Sequence, residues 1–261
     1  MTAAPPRQIL PSLAKAGKGL SEFMFDPQIG EFLNGACTQT ALEVCIAAVE
    51  GRAPAQASVL RYVQQMRVLK DAAGNPLCGR NGAATLLHTA WYAAHVLHAT
   101  IATEWDYQEP LKGDWLDLLR ANAGVRPILM QVARGAQLID AETHVRPEAA
   151  ARGLQYHAIA IIGKQSDGYI VADGDNPQVT QRFQVYDRAT LAAAVPCGLL
   201  MLAMPTPKPP VPAPPPHPLP PPVVRPIRTP VPASDAKLRA ALRTVATQLS
   251  QAQTTISDAL K

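Results

Sequence analysis

The segment between Pro205 and Ala233 constrains this chain most, because 15 of its 29 residues are proline. Each proline lacks a backbone N–H and fixes φ, so the segment can form neither a helix nor a central strand. It therefore divides the chain of 261 residues into a body, 1–204, and a tail, 234–261. We predict that 205–233 is a linker, and a polyproline II chain of this length would reach roughly 90 Å.

The tail carries a regular apolar pattern. From Leu238 to Ala259, apolar residues recur at alternating steps of four and three, and Ser234 precedes them as a candidate N-cap. This is the a/d spacing of a coiled coil, although a single amphipathic helix would show it too. We predict an amphipathic or coiled-coil helix over 234–261, through which the chain self-associates.

The distribution of charge bears on the class of partner. Residues from Pro205 onward carry a net charge of +5, whereas the body carries −1. A body without a basic excess is poorly suited to neutralising phosphates, and an aromatic content of 5% gives few stacking platforms for bases. We therefore expect no nucleic-acid partner.

Targeting signals are the next feature of the sequence. The N-terminal stretch has no apolar region like that of a signal peptide, and no apolar run is long enough to span a bilayer. The sequence thus predicts a protein without a transmembrane segment. We expect it to be cytoplasmic, or delivered without a signal peptide as a phage or effector protein.

The body changes character near residue 126. Before this point, apolar residues spaced by three and four predict helices over 37–50, 58–70, 83–98 and 115–121. After it, compact apolar runs predict strands over 126–133, 157–163 and 169–173, with 183–186 and 199–202 as further candidates. Helices first and strands afterwards indicate an α+β fold. We place this domain at 28–204, after an irregular lead-in over 1–27.

The four cysteines have no CxxC spacing, which argues against a disulfide framework or a zinc knuckle. Cys37 lies where the first predicted helix begins, and the dipole and N–H groups at such a position stabilise a thiolate. Cys78 is a rival nucleophile, but its helix begins several residues later. Cys45 and Cys197 are predicted to pack in the core.

His157 is the candidate base for such a thiol. It begins one strand of a predicted hairpin, and folding about residues 165–166 places it opposite Asp173 or Asp175. A carboxylate beside an imidazole fixes its tautomer and stabilises the imidazolium that forms during proton transfer. The sequence therefore predicts a triad of thiol, imidazole and carboxylate, with the choice of acid left open.

Three other histidines, His88, His95 and His98, fall near one face of the third predicted helix. A metal site needs three or four convergent ligands, and only Glu104 and Asp106 lie nearby in the sequence. A polar helix face is therefore the better interpretation. We expect neither a metal nor an organic cofactor.

Three stretches of the body resemble one known family. They are ACTQTALEVCIAAVEG from Ala36, RANAGVRPILMQVARG from Arg120 and GLQYHAIAIIGKQSDGYIVADGDNP from Gly153. In this order they resemble the nucleophile helix, the strand that enters the core, and the His strand, turn and Asp strand of papain-like cysteine peptidases related to the leader peptidases that process bacteriocins. The resemblance covers roughly 28–204 and implies a papain-like fold, with the nucleophile helix in an N-terminal helical half and a C-terminal antiparallel sheet.

The resemblance also implies a role for each residue of the triad. Cys37 would be the nucleophile, His157 the general base and Asp173 the orienting acid, with Asp175 and Asn176 as alternatives for that last role.

The region around the nucleophile departs from the family at two positions. Thr38 follows Cys37 where the family usually has Gly, and no Gln lies about six residues before Cys37. The amides of Gln28 and Asn34 are the side-chain candidates for the oxyanion hole, beside the backbone N–H of Cys37.

The function implied by the resemblance is hydrolysis of an amide bond, with a peptide as the expected substrate, through a thioester on Cys37 and without a cofactor. Two alternatives stay open. One is a peptidoglycan-cleaving Cys/His amidase or endopeptidase of a phage or effector, which a proline-rich linker would suit. The other is a degenerate, non-catalytic binding module that a coiled coil multimerises.

Overall fold

The computed structural model describes the greater part of the body. The described residues are 8–10, 20–105, 115–144, 146, 155–166, 168–174 and 183–204. The predicted linker, 205–233, and the predicted helix over 234–261 lie outside them, as do Asp175 and Asn176. The interpretations of these segments and residues therefore stay predictions.

The helices of the described residues agree in position with most of the sequence pattern. They are α1 (Cys37–Glu50), α2 (Gln56–Val68), α3 (Leu86–His95), α4 (Trp115–Asn122) and α5 (Arg188–Ala193). Helix α1 ends at Gly51, whose φ of +69° is the left-handed conformation that glycine adopts without strain. Helix α3 begins later than the apolar spacing predicts, because the side chain of Thr85 caps it by accepting a hydrogen bond from His88 N–H.

The strands form one large antiparallel sheet and a small hairpin. They are β1 (Gln8–Ile9), β2 (Met24–Asp26), β3 (Glu31–Leu33), β4 (Ile101–Trp105), β5 (Ile128–Val132), β6 (His157–Gln165), β7 (Gly168–Ala172), β8 (Gln184–Asp187) and β9 (Pro196–Leu202). The order in the sheet is β4-β9-β5-β6-β7-β8, and β1 also pairs with β6, whereas β2 and β3 pair only with each other. The α+β class predicted from the sequence is confirmed.

Strands β1, β4 and β9 of the sheet differ from the sequence-based expectation. No strand was predicted at β1, within the lead-in, or at β4, which pairs with β9 at one edge of the sheet. Strand β9 begins at Pro196, earlier than expected, and the first residue of a strand is a position that proline tolerates.

Apolar cores lie on both faces of the sheet. On one face, α1 packs against β6 residues such as Ala158, Ala160 and Ile162, and α2 and α3 pack on α1 in the same core. On the other face, Ile159 and Ile161 pack in a second core with residues of α4 and α5. Because both faces are covered, β5 and β9 are continuous buried runs rather than alternating ones.

Segments before residue 28 take part in this packing. Leu10 and Leu20 are buried in the core beside α1, and β1 pairs with the end of β6 at Lys164 and Gly163. The described part of the predicted lead-in therefore contributes to the folded domain. Within the described residues, no helix is both long enough and apolar enough to cross a bilayer.

A buried carboxylate joins α1 to α2. Glu43 is fully buried and accepts hydrogen bonds from the guanidinium of Arg52, the hydroxyl of Tyr62 and the backbone N–H of Ala55. Arg52 also pairs with Glu50, whose side chain is 52% exposed. Arg52 thus pairs with two carboxylates of one helix, of which one is buried and the other is exposed to solvent.

We expect Glu43→Ala to lower the free energy of unfolding by about 3–5 kcal/mol, because it leaves buried polar partners unsatisfied. Glu50→Ala, the matched control on the same helix, should cost less than about 1 kcal/mol because its ion pair is exposed to solvent. Urea unfolding of the two variants measures both values. Equal losses would show that Glu43 does not anchor α1.

Candidate active site

Cys37 is the first residue of α1, and its position depends on the loop before the helix. Ala36 is the N-cap of this helix, and the backbone at Gly82 packs against it. Gly82 has a φ of +95°, and a Cβ at this position would lie only 3.2 Å from the Cβ of Ala36. The thiol is partly exposed, and its Sγ lies 4.0 Å from the carbonyl oxygen of Gly35. The first N–H groups of a helix have no acceptor within it, so Cys37 lies beside hydrogen-bond donors.

His157 is the first residue of β6, and Asp173 directly follows β7. The Nε2 atom of His157 lies 2.7 Å from Oδ1 of Asp173, and both side chains are buried. The strands pair Ala160 with Ala172, so Asp173 lies one residue beyond the last pair and reaches His157 diagonally. Of the two acids that the hairpin pattern placed opposite His157, Asp173 is thus in direct contact with it.

Tyr186 on β8 extends this contact into a chain. Its hydroxyl donates to Oδ2 of Asp173 at 2.7 Å and also contacts the side-chain amide of Gln184. The carboxylate therefore has one oxygen on the imidazole and the other on a phenol. Because Nε2 of His157 is hydrogen-bonded to Asp173, Nδ1 is the ring nitrogen that can interact with Cys37.

Glu22 is a member of the site that no sequence pattern predicted. It is buried, its backbone N–H donates to the carbonyl of Gly174, and its Oε2 lies 3.7 Å from Nδ1 of His157. One ligand atom from each of Glu22, Cys37 and His157 lies within 4.8 Å of the others. No motif marks Glu22, and only its place in the apolar stretch GLSEFMF could have drawn attention to it.

Gly174 permits the approach of these segments. A Cβ at this position would lie 2.6 Å from Cγ2 of Thr40 on α1, which is closer than side chains pack. The lack of a side chain there lets the chain after Asp173 lie against the first turns of α1. This close approach brings the carboxylate, the imidazole and the thiol to one place.

The charges around His157 favour the imidazolium. Burial by itself lowers the pKa of His157, but the charge and hydrogen bond of Asp173, the interaction with the Cys37 thiol and the charge of Glu22 outweigh it. Together they raise the pKa of His157 well above its usual value. These interactions therefore favour the protonated form of the imidazole.

The other thiols lie in surroundings that keep them protonated. Burial raises the pKa of Cys78 and of Cys197 to about 11, and that of Cys45 further. The Sγ atoms of Cys78 and Cys197 contact backbone carbonyl oxygens at 3.5 Å and 3.4 Å. These contacts are typical of packed, unreactive cysteines.

A pocket of about 180 Å³ opens at the thiol. Its lining includes Cys37, His157, Asn34, Asn81, Gln131 and Tyr156. Oδ1 of Asn34 accepts a hydrogen bond from the Asn81 amide at 3.2 Å. Gln28, the other amide considered for the oxyanion hole, is exposed in the turn between β2 and β3 and is not part of this lining.

His88 and His95 lie on α3, and His98 lies three residues beyond its end. Nδ1 of His88 lies 3.1 Å from the carbonyl oxygen of Leu77, and the ring of His95 stacks on Trp91. His98 has a φ of +54° just beyond the helix. Among the described residues, the group of three that could hold a metal is formed elsewhere, by Glu22, Cys37 and His157.

No protein-family model matches the chain, and no curated protein matches it. Among solved structures, one match is the crystal structure of a candidate C39-like peptidase from Bacillus anthracis, with a TM-score of 0.43 and 10% sequence identity. The match covers 76% of this chain and 98% of that chain.

The contact between His157 and Asp173 leads to a direct prediction about protonation. In wild type, the imidazole should stay protonated well above its ordinary pKa of about 6.5. Asp173→Asn removes the largest stabilising charge and should lower the pKa of His157, whereas Glu50→Gln, a matched change on an exposed part of α1, should not. Titration of the imidazole C–H resonances by NMR measures these shifts. A wild-type resonance that titrates near the ordinary value would contradict the assignment.

Proposed function

We propose that the chain is a cysteine peptidase of papain-like fold that hydrolyses peptide bonds. In this proposal Cys37 is the nucleophile, His157 the general base and acid, and Asp173 the orienting acid. The observation that supports this proposal most is the hydrogen bond between Nε2 of His157 and Asp173, which leaves Nδ1 on the side of the thiol. The order of the three residues along the chain also supports the proposal. Cys37 begins a helix that packs on the sheet, His157 begins a strand, and Asp173 directly follows the adjacent strand.

The mechanism follows from the protonation of the site. The imidazolium of His157 stabilises the Cys37 thiolate, which attacks the carbonyl carbon of the scissile bond. His157 then gives its proton to the leaving amine, and a thioester remains on Cys37. A water molecule, deprotonated by His157, hydrolyses the thioester and releases the acid product.

The oxyanion of each tetrahedral intermediate needs donors beside the thiol. The backbone N–H of Cys37 is one, because it lies at the start of α1. We assign the side-chain donor to Asn34, since it lines the pocket and Gln28 does not.

A larger cavity of about 680 Å³ adjoins the pocket, and its size is consistent with a peptide as the substrate. The two share Ala83, Ala84, Gln131 and Tyr156. Gln131 is buried, and its Oε1 has no hydrogen-bond partner among the described residues. A substrate N–H would supply that partner, while the cavity takes an apolar side chain next to the scissile bond.

Cleavage of a complex mixture of peptides by the full chain, with products identified by mass spectrometry, tests this function. We expect cleavage by wild type and a loss of roughly 10³-fold or more in Cys37→Ala, because no other group can form the thioester. Cys197→Ala, which removes a buried thiol outside both cavities, should keep the activity. Circular dichroism of each variant checks that it is folded.

Two results would contradict the proposal. If Cys78→Ala abolished cleavage and Cys37→Ala did not, the nucleophile would lie in the adjoining cavity. If folded wild-type protein cleaved no peptide of the mixture, the non-catalytic binding module would be the better account.

A further inference from the structure

Three side chains of different chemistry converge at the start of α1. Glu22 offers a carboxylate, Cys37 a thiol and His157 an imidazole, and their ligand atoms lie within 4.8 Å of one another. The side chains of Glu22 and His157 are each 1% exposed. The peptidase mechanism uses the thiol and the imidazole but assigns no step to this carboxylate.

The spacing of the carboxylate and imidazole atoms is close to that of a tetrahedral zinc site, and the sulfur lies within 4.8 Å of both. Zinc lies about 2.3 Å from sulfur and about 2.0–2.2 Å from nitrogen or oxygen, so its ligand atoms are roughly 3.3–3.7 Å apart. The distance between Oε2 of Glu22 and Nδ1 of His157 is 3.7 Å. Small side-chain movements would bring the thiolate into the same shell.

The surroundings of His157 match those of a zinc-bound histidine. Such a histidine commonly donates its second ring N–H to a carboxylate, which fixes the tautomer and increases the basicity of the ligating nitrogen. Here Nε2 of His157 is bonded to Asp173, and the other oxygen of Asp173 accepts from Tyr186. The outer partners that a zinc ligand needs are therefore already in place.

The donor set also selects the ion. Thiolate and imidazole suit zinc, whereas magnesium and calcium prefer sites made of oxygen atoms alone. The pocket of about 180 Å³ beside Cys37 leaves room for a water molecule as fourth ligand.

We propose that Glu22, Cys37 and His157 bind one zinc ion, and that the bound ion blocks the thiol of Cys37. Binding to the thiolate–imidazolium pair releases one proton, that on Nδ1 of His157, with no change of oxidation state. A sulfur that ligates zinc cannot attack a carbonyl or an alkylating reagent. The ion is thus an inhibitor rather than a cofactor, and its binding does not depend on the peptidase proposal.

Titration of the full chain with zinc chloride against a chromophoric chelator tests the site. We expect one ion per chain and loss of that binding in Cys37→Ser. Glu22→Gln should weaken the affinity by about tenfold or more, and Asp173→Asn by about 10–100-fold, because it removes the outer partner of His157. Cys78→Ser, a matched change at a buried thiol outside the cluster, should keep the affinity.

Two measurements on wild type keep the proposal testable if a variant does not fold. Cobalt in place of zinc should give a thiolate-to-metal absorption band, and zinc but not magnesium should protect Cys37 from iodoacetamide. Absence of the band, no protection by zinc, or a zinc affinity unchanged in folded Cys37→Ser or Glu22→Gln would overturn the proposal. These readouts need no peptidase activity, so the two proposals can fail separately.

Discussion

The burial of α1 determines where every part of the candidate site lies. Eleven consecutive residues of this helix, Thr38–Ala48, are buried against the sheet and the neighbouring helices. A helix enclosed to this extent cannot shift along its axis without breaking the packing of its whole length. Its first residue, Cys37, is therefore held beside the start of β6, where His157 lies.

The electrostatics of the site follow from this enclosure. A buried imidazole would ordinarily lose its proton, yet His157 lies between Asp173 on one nitrogen and Glu22 on the side of the other. Two carboxylates and a thiol around one cation create a site that is rich in potential negative charge. Such a site suits a proton-transfer pair and, when the cation is a metal, a ligand shell. The two proposals thus arise from the same excess of acidic groups.

The sequence predicted the parts of the site that depend on local pattern. The extent of α1 followed from apolar spacing that ends at Gly51. The hairpin placed His157 opposite Asp173 or Asp175, and the structure has Asp173 in contact with it. Glu22 and Tyr186 were not predicted, because they reach the site through long-range packing that leaves no periodic signal. The choice between Asn34 and Gln28 as the oxyanion-hole donor likewise depended on the turn between β2 and β3. The spacing of residues in the sequence does not determine the direction of that turn.

The central claim is that Cys37 and His157 form a reactive ion pair, and the pH dependence of alkylation tests it most directly. Wild type and His157→Ala would be treated with iodoacetamide across a range of pH, with each modified cysteine identified by mass spectrometry. We predict that Cys37 reacts ahead of the other thiols as the pH is raised, and that it loses this advantage in His157→Ala. Reaction of Cys37 that is the same in wild type and His157→Ala, or earlier reaction of Cys78, would contradict the account.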